Sequence, residues 1–298
     1  MRLFCFAGID VFLHWSWFIV AVIMINYRRE AYSSLLWNVL EYLSLFVIVL
    51  LHEFGHSLAC RQVGGKADQI ILWPLGGVAY VGPPPRPGAT LWSIAAGPLV
   101  NVLLFPLLSI LLWFGESRGL AAGMPNVHNL LQAAWLINGL LLLFNLLPVY
   151  PLDGGQILRS LLWFVIGPAR SLMVTAMIGF VGVAVLFVLG LWANDVWLLV
   201  VSVFILVHCW GGLLQARAMA RIARATRRAG FACPACRAAP PAGDFWFCGK
   251  CRRSFDPFAT EAVCPHCGEQ FGVACCLDCG SLRPIGDWIT PPPIPTLL

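Results

Sequence analysis

Tyr42-Leu-Ser-Leu-Phe-Val-Ile-Val-Leu-Leu51-His52-Glu53-Phe54-Gly55-His56-Ser57-Leu-Ala-Cys60 is the stretch that decides the fold of this chain. On a helix, residues four apart lie one above the other, so His52 and His56 can grip one zinc ion. Glu53 sits beside them, placed to take a proton from a water at that metal. The flanks are apolar all round, which no soluble helix needs, and ionisable groups inside a bilayer are functional candidates by default. The stretch reads as a hydrolytic metal site built within a membrane.

Composition points the same way. Of 298 residues, 59% are hydrophobic and 11% charged, with 13 Trp and 19 Phe. Soluble domains carry roughly 25% charged residues, so the class is an α-helical polytopic membrane protein. Six apolar segments lie near residues 11–26, 37–60, 90–114, 129–148, 171–192 and 196–216, predicting about six transmembrane helices. Nothing resembles a cleavable signal peptide, because the first apolar segment runs into Tyr27-Arg28-Arg29-Glu30 without a small-residue cleavage site. An even number of spans puts both termini on one side. Arg61, Lys66, Arg86, Arg159, Arg170 and the Arg217–Arg228 cluster then share that side, which the positive-inside rule makes cytoplasmic. An inner bacterial membrane is the expected location.

Two stretches break the helical pattern. Residues 64–82 read as two short strands around Pro74 and Gly76-Gly77, a membrane-associated β-hairpin whose edges cannot face lipid. The segment Gly154–Gly167 reads as a short helix ended by Gly167-Pro168. The chain divides into a six-span core (1–216), a basic juxtamembrane helix or linker (217–230), a double zinc ribbon (231–281) and a Pro-rich tail (282–298).

Catalytic zinc takes three protein ligands and leaves one position open. The best third candidate is Asp153, in Asn145-Leu-Leu-Pro-Val-Tyr-Pro-Leu-Asp153-Gly154-Gly155; its alternative is a cap on the following helix. With HExxH on one span, Asn145…Pro148…Leu152-Asp153-Gly154 on a later one and Ala96-Gly97-Pro98-Leu99-Val100-Asn101 between them, residues 8–216 resemble the site-2 protease family of intramembrane zinc metalloproteases. Leu13-His14-Trp15-Ser16 and Pro74-Leu75-Gly76-Gly77 belong to the same resemblance. It implies that His52, His56 and Asp153 hold zinc and that Glu53 is the general base, passing its proton to the leaving amine. Asn145 is the candidate oxyanion donor or substrate clamp, with helix packing as its alternative. Asn101 is a weaker candidate for substrate contact, and so is Asn138. The hairpin with Gly76 and Gly77 would receive an unwound transmembrane substrate by β-addition, or else serve as a structural re-entrant loop.

Nine of the twelve cysteines fall between Cys233 and Cys279. Their CxxC spacing indicates metal rather than disulfide, and a reducing compartment. Read in series, Cys233, Cys236, Cys248 and Cys251 make one four-thiolate site and Cys264, Cys267, Cys276 and Cys279 a second, with Cys275 able to replace Cys276. The total is one catalytic and two structural zinc ions. The ribbons suit protein docking better than nucleic acid, although Arg237, Lys250, Arg252 and Arg253 with Phe245, Trp246 and Phe247 offer a basic aromatic face. Membrane lipid and a transmembrane protein substrate are the other expected partners; the oligomeric state is open. The competing reading is a proteolytically silent membrane adaptor that holds partners through its ribbons.

Overall fold

The computed structural model describes residues 1–73 and 76–289, with only the backbone for 76–79. Pro74, Leu75 and most of the Pro-rich tail (290–298) therefore lie outside the described residues. Two compact units divide at Leu213/Leu214.

The first unit opens with strands β1 (Arg2–Phe6) and β2 (Ile9–Leu13) and helices α1 (Ser16–Tyr27) and α2 (Leu35–Gln62). Strands β3 (Lys66–Trp73) and β4 (Gly76–Gly82) and helices α3 (Pro87–Ser117), α4 (Leu120–Gly123), α5 (Pro125–Asn145), α6 (Asp153–Ala193) and α7 (Val196–Arg224) follow. Helices α2, α3, α5, α6 and α7 are long and apolar enough to cross a membrane. Their outward residues are apolar, among them Leu103, Trp113, Val181 and Val188, while Asn38, Glu41, His52, Glu53, Asn101 and Asn138 are buried. This inverts the soluble pattern, as lipid solvent requires.

The first expected span is corrected. Residues 11–26 divide between β2 and α1, whose 12 residues are too short to cross alone. The alternation of buried Ile9 and Val11 with more exposed neighbours marks a strand, hidden in sequence by its continuity with an apolar helix. Strand and helix together come to about 34 Å at strand and helix rises, shorter than the 28-residue α2 at about 42 Å. At one end β2 pairs with β3; at the other Asn38 donates to the Arg28 carbonyl at 2.6 Å and Arg28 pairs with Glu41 at 3.0 Å.

The expected hairpin is larger than two strands. β3 and β4 pair antiparallel as anticipated, with Trp73 opposite Gly76 and Leu72 opposite Gly77. β2 joins β3 in parallel and β1 joins β2, giving the order β1-β2-β3-β4. Arg61, in the last turn of α2, donates to the Gly8 carbonyl at 2.8 Å and pairs with Asp68 of β3 at 3.2 Å. The sheet is thereby fastened to the helix that carries HExxH. In α6 the chain breaks at Gly167 (φ 78°, ψ 171°), where Pro168 follows, dividing a 153–166 helix from a 168–193 helix, as the Gly-Pro signal predicts.

The second unit holds the two small sheets β5 (Trp246–Phe247) with β6 (Ser254–Phe255), and β7 (Val273–Cys275) with β8 (Leu282–Pro284). Residues on either side of the expected 231–281 make contacts with it. Ala242 donates to the Thr226 carbonyl, Arg228 to the Pro240 carbonyl, and Trp288 is fully buried against Phe258. The linker end and the tail start both belong to the ribbon fold, which has an aromatic core of Trp246, Phe255, Phe258 and Trp288.

Candidate metal centres

His52 and His56 project from one face of α2, and Asp153 from the first turn of α6. All three are part of one buried cluster. The two Nε2 atoms are 3.1 Å apart, and Asp153 Oδ2 lies 3.1 Å from His52 Nε2 and 3.4 Å from His56 Nε2. Asp153 Oδ2 receives no hydrogen bond among the described residues.

The protonation of these rings follows from their other neighbours. Asn138 Nδ2 must donate to the backbone carbonyl of Asn101, at 3.0 Å. Asn138 Oδ1 therefore accepts from Asn101 Nδ2 at 2.8 Å, which turns Asn101 Oδ1 toward His52 Nδ1 at 2.6 Å. His52 thus carries its proton on Nδ1, and so does His56, which donates to the Ser93 carbonyl at 2.9 Å. Both Nε2 atoms are left facing the carboxylate oxygen. Three such atoms this close together need a proton or a metal ion among them, and a metal can take all three at once. Their spacing matches the edge of a tetrahedral zinc site, about 3.3 Å for bonds of about 2.0–2.1 Å. The residues present fit zinc.

Asn101, expected as a weaker candidate for substrate contact, is fully buried, with its amide hydrogen-bonded to His52 and Asn138, the arrangement that orients an imidazole. The signal was available, since an amide within an apolar span needs a buried partner; which partner depends on how α2, α3 and α5 pack. Gly97 has a related task. A Cβ there would collide with the His56 ring, so the close approach of α3 requires glycine. Glu53 is buried beside the ligands. Asn145 ends α5, half-buried, with no side-chain hydrogen bond among the described residues. Gly76 and Gly77 open β4, whose outer edge is unpaired among the described residues.

The eight ribbon thiols form two clusters, paired differently from the serial expectation. Cys233 and Cys236 join Cys276 and Cys279, while Cys248 and Cys251 join Cys264 and Cys267. The inner pair of knuckles closes one site and the outer pair encloses it. CxxC spacing specifies each knuckle but not its partner, and the shared aromatic core between the knuckles selects the nested arrangement. Sulfur separations run from 3.5 to 3.8 Å. Tetrahedral zinc–sulfur bonds of about 2.3 Å give about 3.8 Å, so this donor set also fits zinc. The Cys251 N–H donates to Cys248 Sγ at 3.4 Å and pulls that thiol down to about 6, favouring the metal-binding thiolate at neutral pH. Ser281 Oγ lies 3.1 Å from Cys279 Sγ and 3.5 Å from Cys233 Sγ. Cys276 is the clustered residue and Cys275 lies outside both sets, as does His266.

An HExxH helix, a carboxylate from a later span and an amide-supported imidazole define the class: the chain belongs to peptidase family M50, whose model matches residues 41–125 and 116–189. It is an integral membrane protein. Among its relatives, the zinc metalloprotease MJ0392 of Methanocaldococcus jannaschii is 35% identical over 205 residues, covering 69% of this chain and 58% of that protein. Rip3 of Mycobacterium tuberculosis is 32% identical over 173 residues, covering 54% and 42%. The chain spans about half the length of the curated relatives it matches. Among solved structures, the site-2 protease from M. jannaschii superposes with a TM-score of 0.52 at 31% identity, covering 72% of this chain and 94% of that one.

Proposed function

We propose that this protein is an intramembrane zinc endopeptidase that hydrolyses peptide bonds within or near the transmembrane segments of membrane-protein substrates, as in regulated intramembrane proteolysis. The observation that carries this reading is the convergence of His52 Nε2, His56 Nε2 and an Asp153 carboxylate oxygen in one buried cluster on apolar helices, with Glu53 buried beside them.

His52, His56 and Asp153 hold the zinc, which when bound polarises a carbonyl and acidifies water. Glu53 takes the proton from the attacking water and returns it to the leaving amine. Asn145, whose amide is uncommitted, donates to the developing oxyanion. The open edge of β4, starting at Gly76 and Gly77, takes up the substrate as an added strand, because a helical substrate must unwind before its carbonyls can be attacked. The excess of Arg and Lys assigns the ends of α2 and α7 to the cytoplasmic side, so both termini and the ribbons lie there, in a bacterial inner membrane. The ribbons hold two structural zinc ions and dock a protein that selects or gates substrates. Residues 1–216 form the protease core, 217–230 lead out of the membrane, and the ribbon follows.

The test is Glu53→Gln in full-length protein reconstituted with a transmembrane substrate. Cleavage falls by about 10²–10⁴-fold, the usual contribution of a general base, while zinc content is unchanged. Equal cleavage by both proteins sinks the mechanism, and no cleavage by either favours the silent adaptor.

A further inference from the structure

Residues 146–152 deliver Asp153, and part of what holds them is α7. Within the loop, Leu152 donates to the Val149 carbonyl at 2.9 Å, and Gln156 Nε2 of α6 donates to the Pro151 carbonyl at 3.0 Å. The Tyr150 carbonyl faces α7 instead. The Cys209 thiol donates to it at 2.9 Å, and no other donor reaches that carbonyl among the described residues. Cys209 is fully buried, packed with Val149, Val183 and Ile205. The cavity is shaped for it: a Cβ on Gly179 of α6 would collide with Cys209 Sγ and come within 3.2 Å of the Tyr150 carbonyl. Three residues on, Gly212 lets the Tyr150 ring lie against α7, where a Cβ would meet the ring at 2.8 Å.

A buried cysteine is ordinarily a small hydrophobe with a weak donor. Here the donor is spent on a backbone carbonyl three residues before a metal ligand. We propose that Cys209 is a positioning residue of the membrane metal centre: its thiol holds the Tyr150 carbonyl, and that fixes the loop so that the Asp153 carboxylate meets His52 and His56 without reorganisation. The proposal rests on the reading of those three residues as zinc ligands. Supporting groups around a metal's ligands are each worth about 10–100-fold in affinity or activity. Cys209 acts one step further out, so the lower end applies.

The experiment compares wild type, Cys209→Ala and Cys209→Ser, all full length. It counts zinc per chain after a graded chelator challenge and measures kcat and KM on a reconstituted transmembrane substrate. Cys209→Ala loses one zinc at about a tenfold lower chelator concentration and loses kcat at unchanged KM. The two ribbon zinc ions stay and report an intact fold. Cys209→Ser retains a donor of similar size and recovers both properties. A second variant, Gly179→Ala, impairs the wild type through its clash and impairs Cys209→Ala less, because the clashing sulfur is gone. Unchanged zinc retention and kcat in Cys209→Ala overturn the proposal, and so does a Cys209→Ser protein as defective as Cys209→Ala. Wild type holding only two zinc ions overturns the ligand assignment itself and the proposal with it, a result distinct from a third zinc that the alanine variant keeps.

Discussion

The membrane cluster and the ribbon clusters are each fit to hold a divalent cation, with opposite materials. The first draws two imidazoles and a carboxylate from α2 and α6 and supports them by a chain of amides through Asn101 and Asn138. Each ribbon centre draws four thiolates from two tight turns, supported by a backbone N–H at Cys248 and by the Ser281 hydroxyl near Cys233 and Cys279. Three ligands leave a coordination position for substrate or water; four thiolates leave none. A Glu stands next to the open site. On the proposed reading, the difference between chemistry and scaffolding lies in ligand number.

The comparison breaks first at Asp153. Asp153→Ala removes one of three ligands, so full-length protein should fall from three zinc ions to two and lose all hydrolysis; three zinc ions in the purified variant would take Asp153 out of the ligand set. Asn101→Ala, which leaves His52 Nδ1 without its acceptor, should weaken metal retention or turnover by about 10–100-fold with the ribbons untouched. A variant whose KM alone rises would return Asn101 to substrate binding. The ribbon predictions are smaller for activity and sharper for structure. Cys236→Ser/Cys279→Ser damages a single site in the nested arrangement and should cost one zinc, whereas Cys236→Ser/Cys251→Ser should cost two. The serial arrangement predicts the reverse. Acidification should release the ribbon zinc as the thiolates protonate, the general behaviour of thiolate sites.

What could be read without the structure was set by the range of each interaction. His52 and His56 lie one helical turn apart, so spacing alone aligned them, and each CxxC knuckle is equally local. The strong Gly167-Pro168 break and the β3–β4 pairing around Gly76-Gly77 were legible for the same reason. Longer-range partners were not. The bond from His52 to Asn101 crosses from α2 to α3, the nested cysteines share a core formed between knuckles, and Cys209 reaches from α7 to Tyr150 in the loop before α6. The strand β2 escaped notice because its alternation of Ile9 and Val11 merges into the apolar helix α1. In a membrane protein hydrophobicity marks lipid contact as well as burial, so it loses part of its power to separate a strand from a span.

The most direct measurement is the number of zinc ions per chain in full-length protein beside the Cys236→Ser/Cys251→Ser variant, which dismantles both ribbon sites. Three clusters of ligands predict three zinc ions in the first and one in the second, held by His52, His56 and Asp153 in the membrane. Two in the first and none in the second, with the helical unit still folded, would contradict a metal centre in the membrane core.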